Sequence, residues 1–349
     1  MDKRYNVFFC LLILLVWAAS LSQAFPLCLY GVDSPQDIPV IKAAGFNCVQ
    51  TYKKDVLTIR ALALAAQKEH IKIVVYPNNI INSPYQKEAQ GWPVLAWYLA
   101  DEPDVWDISR QRLKELDKNS KTAFPDDKTA FVIGRGETKT PYYDIADILM
   151  VDWYPVPHLK LESLGSEVAL VKKYAPQADK PVWAVVQAFD WKEYPQNRSD
   201  NDRIGRFPSE KELKFMSLDA LLNGAAGLFY FVYTSKGVPL PESNPAGWQA
   251  LSNTVKMMQF AAPALKWGQR RVNPTVAKPP VMMKTFYYDY DTYTLVINYG
   301  AQQTALPAVL RQSKYEAVFC KKSDVMEGYG VILLRHKKPA LNIMRGFAL

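Results

Sequence analysis

The chain is poor in the residues that build most metal and thiol sites. Its 349 residues include only 3 histidines and 4 cysteines. The histidines are scattered, and no His, Asp and Glu cluster has metal-site spacing, so we predict no metal and no other cofactor. Cys10 lies in the N-terminal segment that we predict below to be cleaved, and the three cysteines that remain are odd in number and lack CxxC spacing, which argues against a zinc site and against a disulfide framework. Cys28 and Cys48 fall on the first two predicted strands, which allows them to be neighbours, and we predict that both are buried free thiols.

Three further signatures are missing from the sequence. The absence of a Gly-x-Ser-x-Gly nucleophile elbow argues against a serine hydrolase of the α/β type. The absence of a glycine-rich strand-to-helix turn argues against dinucleotide binding. The net charge is +8, but no long Lys/Arg block is present, so we interpret the charge as general surface charge and predict no nucleic-acid partner.

The N-terminus has the order of a secretory signal peptide. Lys3 and Arg4 precede an uncharged apolar run over residues 7–19, and Ser22-Gln-Ala24 offers small residues at the −3 and −1 positions of a cleavage site. The apolar run is short for a membrane span, and a retained anchor is the alternative. We therefore predict a signal peptide over residues 1–24, a secreted or periplasmic mature chain, and no stable membrane insertion after cleavage.

After this segment the sequence alternates β-type and helical segments, which indicates parallel strands joined by right-handed helical crossovers. The extent of about 240 residues is typical of a (β/α)₈ TIM barrel, which we predict over residues 25–268. An open doubly wound sheet is the alternative, and no glycine-rich turn supports it. The β-type segments cover residues 27–30, 47–52, 71–76, 94–99, 129–133, 148–153, 181–187 and 227–233.

The pattern changes after the proline-rich stretch at residues 272–280. Beyond it, short β-type segments alternate with turn residues and no convincing helix is present. We predict a small antiparallel β domain over residues 275–338. Its expected role is packing on the barrel, with a contribution to polymer binding as the alternative.

Polar and aromatic residues collect where the predicted strands end. The fourth strand stops at Asp101-Glu102-Pro103-Asp104, and a barrel brings the carboxyl ends of its strands to one rim, where active sites lie. Carboxylates among aromatic rings suit a carbohydrate, because rings stack on sugar faces and carboxylates act on the glycosidic bond. We therefore predict a carbohydrate as the partner. The other rim residues are Asp33, Asn78, Asn79, Glu137, Asp152, Trp153, Tyr154, Gln187, Phe189, Asp190, Trp191, Tyr230 and Tyr233.

The run Asp101-Glu102-Pro103 resembles a motif of the (β/α)₈ glycoside hydrolases of clan A. That group carries its acid/base glutamate at the end of strand four, commonly as Asn-Glu-Pro. The resemblance covers residues 25–268 as architecture. It implies that Glu102 is the proton donor to the leaving oxygen, with a raised pKa, and that Asp101 replaces the Asn that contacts the sugar 2-hydroxyl.

The seventh strand departs from that family, because it ends in Gln187 where clan A has a nucleophilic Glu. An amide cannot act as a carboxylate nucleophile. We predict that one of two aspartates supplies the nucleophile or activates water in an inverting reaction. Asp152 is the first choice and Asp190 the second. Alternatively, a substrate acetamido group attacks with Asp101 orienting it, or the barrel binds sugar without cleaving it. We predict Glu102 and Asp152 as catalytic residues, and as substrate contacts Asp101, Trp153, Tyr154, Gln187, Asp190 and Tyr230.

Each assignment has a structural alternative. Glu102 is the partner of a rim arginine such as Arg135 under one hypothesis, and Asp152 caps a turn under another. Tyr154 and Tyr230 are equally compatible with barrel packing. For the whole chain, the alternatives are a non-catalytic carbohydrate-binding protein on a decayed barrel, and a different barrel hydrolase or lyase that uses Asp152.

Overall fold

The computed structural model describes residues 24–134, 142–175, 180–194, 205–267, 269–270 and 280–337. The predicted signal peptide up to residue 23, Arg135, Glu137 and the linker residues 272–279 lie outside these ranges. Within the described ranges, no helix is both long enough and apolar enough to cross a lipid bilayer.

Eight parallel strands close into a barrel in their sequence order, which confirms the predicted (β/α)₈ architecture. The strands are short, and all but a few of their residues are buried because helices cover the outside of the barrel while side chains fill the inside. In chain order they are β1 (Leu27–Leu29), β2 (Cys48–Gln50), β3 (Lys72–Val75), β4 (Val94–Tyr98), β5 (Thr129–Ile133), β6 (Ile148–Asp152), β7 (Val182–Gln187) and β8 (Gly227–Phe231).

Some of the helices around the barrel begin at side-chain caps that the sequence signals. Asp55 accepts from the Thr58 N–H at 2.8 Å, and Ser209 and Glu212 form the predicted capping box. The helices are α1 (Ile38–Ala43), α2 (Val56–Lys68), α3 (Gln86–Ala89), α4 (Arg110–Ala123), α5 (Ser163–Tyr174), α6 (Glu210–Leu222), α7 (Leu240–Ser243) and α8 (Pro245–Trp267).

The connections are less regular than the predicted strand–helix repeat. Between β3 and β4 the only helix is the single turn α3, and residues 142–147 before β6 form turns. After β8 the chain makes the small hairpin of β9 (Thr234–Ser235) and β10 (Val238–Pro239). The strands, with their continuous apolar runs, are therefore better predicted than the connections.

Cys28 and Cys48 form a disulfide bond, so the prediction of two free thiols is wrong. They stand directly opposite each other in the parallel register of β1 and β2. Both side chains point into the barrel, where they are fully buried. Sequence spacing could not show this pairing, because the register between two parallel strands is set only when the barrel closes.

The C-terminal region forms an antiparallel sheet, as predicted, that packs on the barrel. Phe260 of α8 contacts Tyr293 edge-to-face at 5.1 Å between ring centroids, and Phe215 of α6 contacts Tyr299 at 5.2 Å. The other face is covered by its own loops and a short helix, α9 (Ala308–Arg311). The strands are β11 (Gln269–Arg270), β12 (Val281–Tyr288), β13 (Asp291–Asn298), β15 (Tyr315–Ala317) and β17 (Val331–His336), with a separate pair of β14 (Thr304–Ala305) and β16 (Val325–Met326).

Asp219 links the sheet to the barrel helices. Its side chain is 1% exposed and accepts a hydrogen bond of 2.8 Å from the Tyr299 hydroxyl. It also lies against Gly165 in the first turn of α5, where an added Cβ would overlap its carboxylate. Burial raises the pKa of Asp219 to about 6, although the Tyr299 hydrogen bond opposes this shift.

We expect Asp219→Asn to change how stability depends on pH. The native pKa lies above the unfolded value, so the native state binds the proton more tightly. The stability that this tighter proton binding gives the wild type is fully present below pH 3.8 and is lost as the pH rises through about 6. Urea unfolding should show that the free energy of unfolding of the variant rises relative to wild type by up to about 3 kcal/mol as the pH increases from 4 to 8. The exposed Asp126→Asn should show no such gain, and a constant difference for Asp219→Asn would contradict the assignment.

Candidate active site

Glu102 stands on a tight turn directly after β4. Its backbone has a φ of +41°, a left-handed conformation that costs a non-glycine residue free energy and is concentrated at functional sites. The turn is held because the Glu102 carbonyl accepts from the N–H groups of Val105 at 2.9 Å and Trp106 at 3.0 Å. The strand end therefore delivers the carboxylate to the rim in a conformation that the local sequence does not favour.

The carboxyl groups of Glu102 and Asp152 meet at this rim and are called the carboxyl pair below. Asp152 is the last residue of β6 and is 7% exposed. Burial raises the pKa of Asp152 well above its usual range, and the charge of Glu102 and a hydrogen bond with its carboxyl raise it further. Two carboxyl groups can share a hydrogen bond only when one holds a proton. The carboxyl pair therefore binds a proton at a pH where free carboxylates are ionised.

A glycine makes room for the Glu102 carboxylate. A Cβ placed on Gly134, just after β5, would lie 2.6 Å from Glu102 Oε1, closer than such atoms approach. Asp104 holds this glycine, because its Oδ1 accepts from the Gly134 N–H at 3.1 Å. Three strand ends, of β4, β5 and β6, thus position the carboxyl pair.

Asp101 is held by tyrosines that project from the first half of the barrel. Its Oδ1 accepts from the Tyr98 hydroxyl at 2.6 Å and from the Tyr52 hydroxyl at 3.4 Å. Tyr30 donates in turn to Tyr98 at 3.3 Å. Burial raises the pKa of Asp101, and these hydrogen bonds oppose the shift. The charge of Asp101 also raises the pKa of Asp152, so the three carboxyl groups form one electrostatic unit.

Aromatic rings cover the opposite half of the rim. The Tyr154 hydroxyl donates to Asp152 Oδ2 at 3.3 Å, and its ring stacks on Phe231 with centroids 5.6 Å apart. Phe189 and Trp191 contact Tyr154 edge-to-face at 5.0 and 6.0 Å. The structure therefore brings Tyr154 together with Asp101, Glu102 and Asp152.

Gln187 and Asp190 lie near these rings but are occupied by the backbone. Gln187 is fully buried, and its amide donates to the Val156 carbonyl and accepts from the Val156 N–H, both at 2.8 Å. It thus holds the loop after β6. Asp190 accepts from the Lys192 N–H at 2.9 Å and caps a short 3₁₀ helix, Trp191–Glu193.

Trp153 and Tyr230, both predicted as substrate contacts, point away from the barrel interior. The Trp153 indole donates to the Ser163 hydroxyl at 2.9 Å, at the start of α5. The Tyr230 hydroxyl bonds Ser217 of α6 at 2.9 Å, and the side chain is fully buried between strands and helices. Side chains alternate along a strand, so the next residue, Phe231, takes the inward place that the prediction gave to Tyr230.

Sequence reasoning missed the tyrosine lining of the barrel interior. The available signal was a tyrosine of inward parity at the end of each of the first four strands. These residues are Tyr30, Tyr52, Tyr76 and Tyr98. Among the described residues, no three His, Cys, Asp or Glu side chains converge as a metal site requires.

A cleft opens beside the site, next to Asp101. Its volume is about 670 Å³. Asn78 and Asn79, both predicted rim residues, lie in its wall. The other lining residues are Tyr52, Lys54, Tyr76, Leu99, Ala100, Trp106, Ile108, Arg112 and Leu116.

Solved structures of glycoside hydrolases share this fold. Amy13B of Eubacterium rectale matches with a TM-score of 0.56 and 11% identity, over 91% of this chain and 96% of that chain. A glycoside hydrolase family 5 protein from Bacteroides vulgatus matches with a TM-score of 0.56 and 14% identity, over 90% of this chain and 89% of that chain. A GH30 endoxylanase from Clostridium papyrosolvens matches with a TM-score of 0.51 and 9% identity, over 90% of this chain and 96% of that chain. At such identities the similarity shows the fold alone.

No protein-family model and no curated protein matches this sequence.

Proposed function

We propose that this chain is a glycoside hydrolase in which Glu102 protonates the leaving glycosidic oxygen. The observation that carries the proposal is the placement of Glu102 just after β4 and of Asp152 at the end of β6, with Glu102 near enough to raise the pKa of Asp152. A general acid must still hold its proton at the working pH, and the raised pKa of its neighbour supports a proton held by the carboxyl pair. The barrel fold, which solved glycoside hydrolases share, is compatible with this chemistry.

The electrostatic coupling within the carboxyl pair bears on the role of Asp152. Burial raises the pKa of Asp152, and the charge of Glu102 and a hydrogen bond with its carboxyl raise it further, which favours a proton held by Asp152 together with Glu102 over an ionised nucleophile. We therefore assign Asp152 to sharing the proton with Glu102, with attack on the sugar as its alternative role.

Attack on the sugar then falls to a group near Asp101, which lines the open cleft. Two routes fit its position: Asp101 activates a water, or it orients an acetamido oxygen of the substrate. In either route the glycosidic C–O bond breaks, the leaving oxygen takes the Glu102 proton, and water ends on the sugar carbon. Inversion at that carbon would indicate direct water attack, and retention with dependence on an N-acetyl group would indicate the acetamido route.

The proposal includes export, based on the N-terminal segment. Disulfides persist in oxidising compartments, and the Cys28–Cys48 bond supports a secreted or periplasmic location.

The test is incubation of residues 25–349 with neutral, acetamido and acidic oligosaccharides and aryl glycosides. Release of new reducing ends by wild type, lost in Glu102→Gln, is the expected result. Release that persists in Glu102→Gln and vanishes in Asp152→Asn would favour the alternative barrel hydrolase or lyase.

A carbohydrate-binding protein without activity is the second candidate function. It is favoured by Gln187, whose amide is engaged by the backbone where clan A enzymes carry the nucleophile. It predicts glycan binding that is equal in wild type and Glu102→Gln, with no release of reducing ends from any substrate.

Gly134→Ala should lower kcat while the protein stays folded. The new methyl group would occupy the place of Glu102 Oε1 and displace the acid, and a displacement of about 1 Å can cost up to about a hundredfold in rate. We expect a ten- to hundredfold loss in kcat, measured as initial rates on a cleaved substrate. Gly91→Ala is the matched control, since its nearest neighbour would be 3.5 Å away. Equal activity of the two variants would contradict the assigned contact.

A further inference from the structure

The cleft next to Asp101 has the size of a ligand site. Its volume of about 670 Å³ lies within the range of about 300–1,000 Å³ that is usual for small-molecule sites. Asp101 is in its wall and directly precedes Glu102. A sugar chain held in this cleft would therefore lie beside the residue that precedes the proposed acid.

An exposed tryptophan stands at the edge of this cleft. The Trp106 side chain is 69% exposed, although an indole is among the most apolar surfaces a protein can present. Its backbone N–H donates to the Glu102 carbonyl at 3.0 Å, which ties its position to that of Glu102. A flat apolar ring at this place suits stacking on the face of a sugar unit.

Two cationic side chains line the same cleft. Lys54 Nζ lies 5.1 Å from the centroid of the Tyr76 ring, and its charge lowers the pKa of Asp101, so it points toward the site. The Asn79 amide donates to the Lys54 carbonyl at 2.6 Å and holds the loop that carries it.

The second cation, Arg112, is only weakly engaged within the protein. It makes a 3.4 Å ion pair with Glu115, in which the two side chains are 58% and 49% exposed. Such exposed pairs contribute little and exchange readily for another anion.

The one carboxyl group in the wall of the cleft is already hydrogen-bonded. Asp101 accepts from Tyr98 and Tyr52. The wall of the cleft is thus positive overall, because it holds two cations, Lys54 and Arg112, and one acid, Asp101. A positive cleft concentrates anionic ligands.

We infer that this cleft binds a sugar unit carrying an anionic group, a carboxylate or a sulfate, as part of the cleaved chain. Trp106 stacks on the sugar ring, and Lys54 and Arg112 contact the anionic group. This inference rests on the proposed glycosidase function and names its substrate class, an acidic glycan.

Binding is tested with the full mature chain carrying Glu102→Gln, so that no substrate turns over. The probe is an array of neutral, uronic-acid and sulfated oligosaccharides. The tightest binders should be anionic, and Lys54→Met with Arg112→Met should weaken them about tenfold or more. The separate uronate and sulfate members of the array show which group is recognised. Added salt should weaken anionic binding and leave neutral binding unchanged.

Matched controls separate a local contact from a change in overall charge. Lys68→Met with Lys118→Met removes the same two charges at exposed positions on α2 and α4, outside the cleft, and should leave binding within twofold. Trp106→Ala should weaken both anionic and neutral chains, whereas Trp267→Ala, at the exposed end of α8, should weaken neither.

The outcomes distinguish this inference from the proposed function. Neutral chains as the tightest binders, no binding at all, or equal binding by the two double variants would overturn the inference. Hydrolysis by wild type that depends on Glu102 would still support the glycosidase in those cases. Anionic binding that depends on Lys54 and Arg112, without hydrolysis of any bound chain, would support the cleft and overturn the glycosidase.

Discussion

Glu102→Gln should lower kcat by about 10²–10⁴-fold, the usual contribution of a positioned general acid. Glutamine keeps the size of the side chain and its place beside Gly134 but has no proton to donate. The loss should be large for natural glycosides, whose leaving alkoxide needs protonation. It should be small for aryl glycosides with acidic phenols, which depart without it. Initial rates on both substrate types give this comparison.

The control for this prediction is an exposed glutamate outside the site. Glu327→Gln removes the same charge from a side chain that is 75% exposed in the C-terminal region, and it should change kcat by less than twofold. An equal loss on natural and aryl substrates in Glu102→Gln would indicate that Glu102 acts in binding or folding, and would refute its role as the acid.

Asp152→Asn should lower kcat/KM at neutral pH by about 10²-fold and move the alkaline limb of the pH profile to lower pH. In wild type, burial and the charge of Glu102 raise the pKa of Asp152, so the carboxyl pair keeps a proton as the pH rises. Activity falls when that proton is lost. Asparagine removes the anionic neighbour, so the remaining carboxyl gives up its proton at lower pH. The profile of kcat/KM reports this ionisation in the free enzyme.

The pH profile separates this role from a structural one. Tyr154→Phe removes the other hydrogen bond to Asp152 but leaves both carboxyl groups in place. It should therefore retain most of the activity and shift the alkaline limb far less than Asp152→Asn does. An Asp152→Asn variant that loses activity with an unshifted limb would show that Asp152 supports the fold and not the proton.

The sequence was most informative where one local pattern had one physical meaning. Apolar runs predicted all eight barrel strands, because a strand buried on both faces must be apolar throughout. The sharp change from apolar strand to Asp101-Glu102-Pro103 marked the end of β4, and the Ser209–Glu212 spacing marked the start of α6. These features depend on neighbours in the chain.

Side-chain direction was predicted less well, because it depends on strand parity. Tyr230 and Phe231 are neighbours at the end of β8, and Trp153 and Tyr154 are neighbours just after β6. A shift of one residue turns Tyr230 and Trp153 away from the barrel interior toward the helices. Gln187 has inward parity, but Val156 on the neighbouring loop takes up its amide. Neither outcome is encoded by residue type.

By itself, the sequence determined the (β/α)₈ architecture, the C-terminal β region and the placing of Glu102 and Asp152 at strand ends, since hydrophobic periodicity and chain breaks act locally. Tertiary structure alone decided that Asp152 contacts Glu102, that Gly134 leaves space for it, and that Cys28 bonds Cys48. Those contacts join residues far apart in the chain. They arise only when barrel closure sets the register of every strand against its neighbours.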